Sequence, residues 1–362
     1  MKLLVTYTTG TIGVPLHMIK YIKNNYPDIF IYSIKIKLSH CEELFYQEKM
    51  ISKIKKVVVR KNITHMMCID EEVFFIAQIK DWLEKHCKIL INTRELYDTL
   101  HNKYNGYKFS TANNIPTIPT MLLTNDLTKH QIETFIGKKY PAYVKSVYST
   151  GGKGTQTYND INELFDSHSK IKENIVDRII QPCVKGTIYT ANAIYSKGVM
   201  IDIFILKSLS FINDTKTIRM PPFCEVIRTD IFNEYMKTIG NNTGYSGMLE
   251  VEFLVNDAGK IYLMEYNPRF SGSFICATDN DASIAKNYMN ILCDLPIIPF
   301  SQKEIIYSFS IVRDIQYYIK QSYQNPKTLL KLSWLKKYFN IKRKSQTVSL
   351  VISSYADCEY CI

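Results

Sequence analysis

The chain has 362 residues, 46% hydrophobic and 22% charged, which is an ordinary globular composition and long enough for two or three domains. Lys and Arg outnumber Asp and Glu by 45 to 34, for a net charge of +11, and there are nine cysteines. No run approaches the roughly 18 apolar residues of a membrane span, and the first apolar run, Leu3–Val5, gives way to Thr6-Tyr7-Thr8-Thr9 rather than extending into a secretory core. These features exclude membrane-spanning, collagenous and disulfide-framework classes and predict a cytoplasmic protein with free thiols.

In chain order, Lys2–Tyr7 and Phe30–Ile36 read as buried strands around a helix over 14–25, with apolar positions at Val14, Met18, Ile19 and Ile22. Val57–Val59, Met66–Ile69 and Lys88–Ile91 read as further short strands and Glu72–Lys85 as a helix. This alternation predicts a parallel sheet covered by helices over the first 95 or so residues. The turn Gly10-x-x-Gly13 falls short of a dinucleotide fingerprint, because His17 stands where a third glycine would and Ile34-Lys35-Ile36 offers no acid. A structural strand-to-helix turn is the expectation there.

Beyond the loop Asn114-Ile115-Pro116-x-x-Pro119 the pattern changes to strands joined by tight turns: Tyr140–Lys145, Ile179–Gln181, Ile188–Tyr195, Val199–Leu206, Met248–Val255 and Lys260–Glu265. Asn256-Asp257-Ala258-Gly259 between the last two is a hairpin signal. Lys145 precedes Ser149-Thr150-Gly151-Gly152-Lys153-Gly154-Thr155, where three glycines let backbone N–H groups approach phosphate oxygens; a plain glycine-rich hairpin tip is the alternative. Glu250 and Glu252 share one face of their strand, and antiparallel hairpin strands would bring Glu252, Glu265 and Asn267 onto one patch; a solvated hairpin face is the alternative. Hard oxygen donors in that number suit Mg2+, which binds one or two carboxylates together with phosphate oxygens. Pro268 then presents Arg269 beside the patch, where a guanidinium would hold a carboxylate or a phosphoryl group.

On these residues, above all Gly247–Phe253 and Glu265-Tyr266-Asn267-Pro268-Arg269-Phe270-Ser271-Gly272, the chain resembles the ATP-grasp superfamily, and most of all its carbamoyl-phosphate-synthase-like branch of carboxylate–amine ligases. The resemblance covers about residues 1–295. It implies an α/β plus α+β architecture: an N-terminal Rossmann-like (pre-ATP-grasp) domain over 1–100, a two-lobed ATP-grasp fold with its small lobe over 101–180 and its large lobe over 181–300, and a small basic C-terminal extension over 301–362.

The implied cofactors are ATP and Mg2+ (or Mn2+). Glu252, Glu265 and Asn267 would hold the metal; Lys103, Lys145, Gly151, Gly152, Lys153 and Gly154 the phosphates; Gln181, Cys183 and Val184 the adenine from the hinge; Arg269 the acyl phosphate; and Lys207 and Arg219 would also reach the phosphates. The implied reaction is ATP-dependent joining of a small carboxylic acid, such as an amino acid, to an amine through an acyl phosphate, by a homodimer. The hinge departs from the family at Pro182, where a glutamate is usual, and at Ile188 and Tyr189, where an acid for the ribose is usual.

Those departures motivate a second reading, a nucleotide-binding sensor or scaffold without catalysis, and the charge of +11 a third, a nucleic-acid-binding protein. With the metal and arginine set intact, no nucleic-acid partner is expected. Ten basic against four acidic residues lie in 301–362. Over 331–344 they interleave with Leu332, Trp334, Leu335, Tyr338 and Phe339, either as the solvated face of a packed helix or as a peripheral contact for an anionic surface. Cys358 and Cys361 lack the further ligands that a zinc site needs, since every histidine lies before residue 170.

Overall fold

The structure is a computed structural model that describes residues 1–8, 13–37, 44–137, 141–149, 154–170, 177–209, 223–308 and 340–347. The predicted Gly10–Gly13 turn, Gly151–Lys153, Arg219, the basic stretch 331–339 and the terminal cysteine pair lie wholly or largely outside these residues.

The N-terminal strands β1 (Lys2–Thr8), β2 (Phe30–Ile36), β3 (His65–Cys68) and β4 (Lys88–Ile89) form a parallel sheet in the order β2-β1-β3-β4. Alternate side chains of β1 enter different cores. Leu3, Val5 and Tyr7 pack with Val14, Met18 and Ile22 of α1 (Gly13–Asn25), whereas Leu4 packs with Met50, Ile54, Val57 and Val58 of α2 (Leu44–Arg60). Helices therefore cover both faces, as in doubly wound sheets. The predicted strand Val57–Val59 is instead the end of α2. Its β-branched run imitates a strand, but Met50, Ile54, Val57 and Val58 repeat with helical period and leave Val59 exposed. The predicted helix Glu72–Lys85 is broken into α3 (Val73–Ile76), a 3-10 turn (Ala77–Ile79) and α4 (Lys80–His86), with Ile79 leaving helical geometry at φ −113°, ψ 23°.

Two short helices follow, α5 (Arg94–His101) and α6 (Lys103–Ala112). Then β5 (Met121–Leu123), α7 (Lys129–Ile136), β6 (Ala142–Ser146), β7 (Gln156–Tyr158), α8 (Ile161–Lys170) and β8 (Arg178–Pro182) build an antiparallel sheet ordered β5-β8-β6-β7. Its own small core unites Leu123, Ile132, Ile136, Val144, Leu164 and Ile180.

The third sheet runs β13-β12-β9-β10-β11-β14-β15 and is built from β9 (Thr187–Ser196), β10 (Val199–Leu209), β11 (Phe223–Ile227), β12 (Gly247–Val255), β13 (Ile261–Asn267), β14 (Ile306–Ser308) and β15 (Ser345–Thr347). On one face α9 (Asn233–Thr243) buries Met236 and Ile239 against Ala191, Ala193 and Val251. On the other, α10 (Ile275–Asp279) and α11 (Ser283–Leu292) share a core with Ile194, Phe204 and Leu206. The described part of the basic C-terminal stretch is an edge of this sheet: β15 pairs parallel with β14, and Lys342 Nζ donates to Ser308 Oγ at 2.5 Å. Among the described residues no helix is long and apolar enough to cross a membrane, and Cys68, Cys87, Cys183, Cys224, Cys276 and Cys293 are free thiols.

Candidate active site

The β12–β13 hairpin carries the central group. Its turn is held by Asn256, whose side-chain oxygen accepts from Ala258 N at 3.1 Å and Lys260 N at 2.8 Å. The register sets Glu250 opposite Asn267 and Glu252 opposite Glu265, with a β-bulge just beyond Glu252. Paired residues share a face, and the bulge keeps Glu265 turned toward Glu252 although Leu263, two residues earlier, pairs with Phe253 on the opposite face.

Two lysines from elsewhere meet this patch. Asn102 ends α5 and caps α6, its side chain accepting from Tyr104 N at 3.0 Å and Asn105 N at 3.1 Å. The next residue, Lys103, ion-pairs with Glu265 at 3.2 Å and donates to the Ser149 carbonyl. α6 can lie this close to β13 because Gly106 faces the Tyr266 ring, where a Cβ would stand 3.0 Å from Cδ2, and because Ser110 Oγ bonds the Tyr266 hydroxyl at 2.6 Å. Lys145 arrives on β6 of the small antiparallel sheet; burial lowers its pKa, while Glu265 and Glu252 oppose that shift. Burial likewise pushes Glu252 well above the usual carboxylate range, reinforced by Glu265 and Glu250. At Glu265 burial opposes ionisation, but Lys103, Lys145 and hydrogen bonds from Lys103 and Asn267 outweigh it and hold the carboxyl low. The lysines, two carboxylates and one amide that the sequence assigned to phosphate and metal thus lie together.

Arg269 stands at the other end of the patch. Its side chain is only 10% exposed; Nη1 donates to the Phe270 carbonyl at 2.9 Å and Nε lies 3.6 Å from Asp70. Asp70 follows β3 and accepts from Thr8 at the end of β1, so the arginine meets the N-terminal sheet at the crevice between β1 and β3, where the strand order reverses. Among the described residues Arg269 Nε and Asn192 Nδ2 are buried donors without a hydrogen-bond partner. Asn192 stands opposite Glu250 on β9, and Ser271, two residues after Arg269, donates to its Oδ1 at 2.7 Å.

Residues 100–273 match the family model described as "ATP-grasp domain". This stretch of the chain is an ATP-grasp domain. The arginine-specific carbamoyl phosphate synthase large chain of Halalkalibacterium halodurans is 20% identical over 257 residues, 69% of this chain and 24% of that one, so the chain spans about a quarter of that relative's length. Two solved structures share the fold: N5-carboxyaminoimidazole synthetase from Staphylococcus aureus complexed with ADP (13% identity, 90% of this chain and 86% of that one, TM-score 0.66), and L-amino acid ligase from Bacillus licheniformis (12%, 80% and 74%, TM-score 0.60).

Within the ATP-grasp domain the expected hinge follows β8. Gln181 donates to Thr120 Oγ1 at 2.8 Å and, with Lys103, Met264 and Glu265, lines a narrow inner cavity. Cys183 and Val184 line an adjoining cleft of about 280 Å³ with Pro116, Thr117 and Tyr262. Gly186 must be glycine, because a Cβ there would stand 2.4 Å from the Val255 carbonyl. Gly154 is a described turn residue at φ +71°. Lys207 is not brought to the site: it pairs with Tyr189 and Glu225, one residue out of phase with Thr190 and Glu252, and so takes the opposite face of the sheet. Its position at the end of a strand suggested the site; only the register counts the parity.

Two site residues, Asp70 and His101, escape the sequence reading, and a third, Glu250, is read there only as sharing a face with Glu252. Asp70 had a signal, three acids directly after an apolar strand. Glu250 was seen as a neighbour of Glu252 without a role. His101, just before Asn102, stacks 4.3 Å from Phe74 and 5.8 Å from Tyr148. Burial, then Lys103 and Arg269, lower its pKa to about 3, so it is a neutral ring beside the cations.

Proposed function

We propose that the chain is an ATP-dependent carboxylate–amine ligase of the cytoplasm, working as a homodimer on a small carboxylic acid, such as an amino acid, and an amine. The observation that carries this reading is the order along one patch: two lysines, then the Glu252–Glu265–Asn267 group, then a buried arginine against the N-terminal crevice. Among the described residues no three His, Cys, Asp or Glu side chains form a metal cage. Two carboxylates and an amide instead suit a hard cation that keeps places for phosphate oxygens and water. Asn192 Nδ2, and Arg269 Nε with no hydrogen bond beyond its 3.6 Å ion pair to Asp70, fit a ligand bearing acceptor oxygens nearby.

Mg2+ with ATP would supply the transferable phosphoryl group and neutralise its charge. Lys103 and Lys145 would hold the phosphates, Gly151, Gly152, Lys153 and Gly154 are assigned to the same phosphates, and Cys183 and Val184 would border the base. Arg269 would fix the acid in line. A carboxylate oxygen attacks the γ-phosphorus; the new O–P bond forms as the bond to ADP breaks. The amine then attacks the acyl carbon, a C–N bond forms, and phosphate leaves as the amine loses its proton. Positioning and charge neutralisation account for the acceleration, and no side-chain nucleophile is required.

The test is a panel of amino acids and amines scored by ADP and phosphate release. The reading expects release that requires both a carboxylate and an amine. Binding of Mg·ATP with no ADP from any pair would overturn it in favour of a sensor.

A further inference from the structure

We infer that Glu250 is the positioning residue of the metal site: its carboxylate anchors the Asn267 amide nitrogen and thereby leaves Asn267 Oδ1 as the end of the amide available to a cation. This rests on the ligase reading, and on one question that reading leaves open. An asparagine can bind a cation only through Oδ1, yet its oxygen and nitrogen are nearly the same size, so something must fix which one faces the metal.

The cross-strand register puts Glu250 directly opposite Asn267. Glu250 Oε1 accepts from Asn267 Nδ2 at 2.9 Å, in the middle of the usual range, whereas Glu265 Oε1 is 3.4 Å from the same nitrogen, at its outer edge. Both residues are buried, at 6% and 5% exposure, so water does not compete for the bond.

Glu250 has its other carboxylate oxygen beside two serines. Its Oε2 lies 3.4 Å from Ser273 Oγ, beyond the usual O–H···O range; Ser271 donates its one proton to Asn192 Oδ1 at 2.7 Å, so Ser273 donates to Ser271 Oγ at 2.7 Å. One carboxylate oxygen is therefore engaged by Asn267, and the other faces the serine pair. Asn192, Ser271 and Ser273 thus set a polar wall from the loop after Arg269 to the side of Glu250 away from Asn267. Residues that orient a metal ligand in this way typically change metal affinity by 10–100-fold when removed.

The experiment measures Mn2+ binding to the full chain in the presence of ADP by electron paramagnetic resonance, and ADP binding in EDTA by calorimetry. For Glu250→Ala the expected result is Mn2+ affinity lowered about 10–100-fold, with metal-free ADP affinity unchanged within about twofold. Glu250→Gln, whose amide oxygen still accepts from Asn267, is expected to stay within about threefold of wild type. Glu250→Met, apolar and of similar length, replaces the alanine variant if that one fails to fold. Unchanged Mn2+ affinity in the alanine or methionine variant would overturn the inference and leave Glu250 a packing residue. A loss in Glu250→Gln as large as in Glu250→Ala would overturn it in favour of direct ligation. A wild-type chain that binds ADP with no effect of Mn2+ sinks the metal reading first, and this inference with it.

Discussion

Buried carboxylates gather in two regions of this molecule, and their partners differ. At the end of the N-terminal sheet Glu72 accepts from Ile69 N at 2.9 Å, Asp70 N at 3.1 Å and Thr6 Oγ1 at 3.0 Å. Burial, then Asp70, raise its pKa to about 7. On the β12–β13 hairpin, Glu252 and Glu265 stand side by side with two lysines brought from a helix and from another sheet. A carboxylate satisfied by backbone N–H groups and one hydroxyl of its own sheet shapes a loop; a pair that depends on cationic side chains from other elements keeps coordination capacity for a ligand.

Substitutions in the two regions can break this contrast. The largest effect is expected for Glu265→Ala, which removes a metal carboxylate and the partner of Lys103: ADP formation should fall by about 10³-fold or more, and retained turnover would contradict the assignment. Next is Lys103→Met. It leaves Glu265 a buried acid without its ion pair, so thermal denaturation should show a loss of about 3–5 kcal/mol, together with weakened nucleotide binding by calorimetry. Both changes strike the hairpin region.

For the crevice, Glu72→Gln should act through pH. The folded chain holds this proton up to about pH 7, whereas an ordinary carboxyl loses it near 4.5. Between those values the folded state binds more protons, so its contribution to stability falls as pH rises. Glu72→Gln should be close to neutral at pH 5 and raise the melting temperature by roughly 2–4 °C at pH 8; a constant difference would argue against the shift. The smallest effect is expected for Lys207→Ala, on the opposite face of the sheet: ADP formation should remain within about twofold of wild type.

Much of the hairpin region was legible before any coordinates. Period-2 alternation put Glu250 and Glu252 on one face, and the Asn256–Gly259 turn fixed how far along β13 their partners stood. β1 and β2 were legible as apolar runs between turn residues. The valines of α2 were misread because β-branching favours strands locally, whereas the core chose the helical stripe. Lys207 was misplaced because the parity that excludes it is counted across three strands.

The sequence by itself determined the local chemistry: the acids and amide of one hairpin, the proline-fixed arginine after it, and the strand lysine before a glycine loop, each readable because its spacing is set within a few residues of backbone geometry. Only the tertiary structure decided which of these groups meet. Lys103 reaches Glu265 across 162 residues of chain because Gly106 and Ser110 seat α6 on β13, and Arg269 reaches Asp70 because the seven-stranded sheet and its helices share a core with β1, β3 and α1. Such contacts depend on how elements pack and on the desolvation that packing imposes, and neither is written in the spacing of residues along the chain.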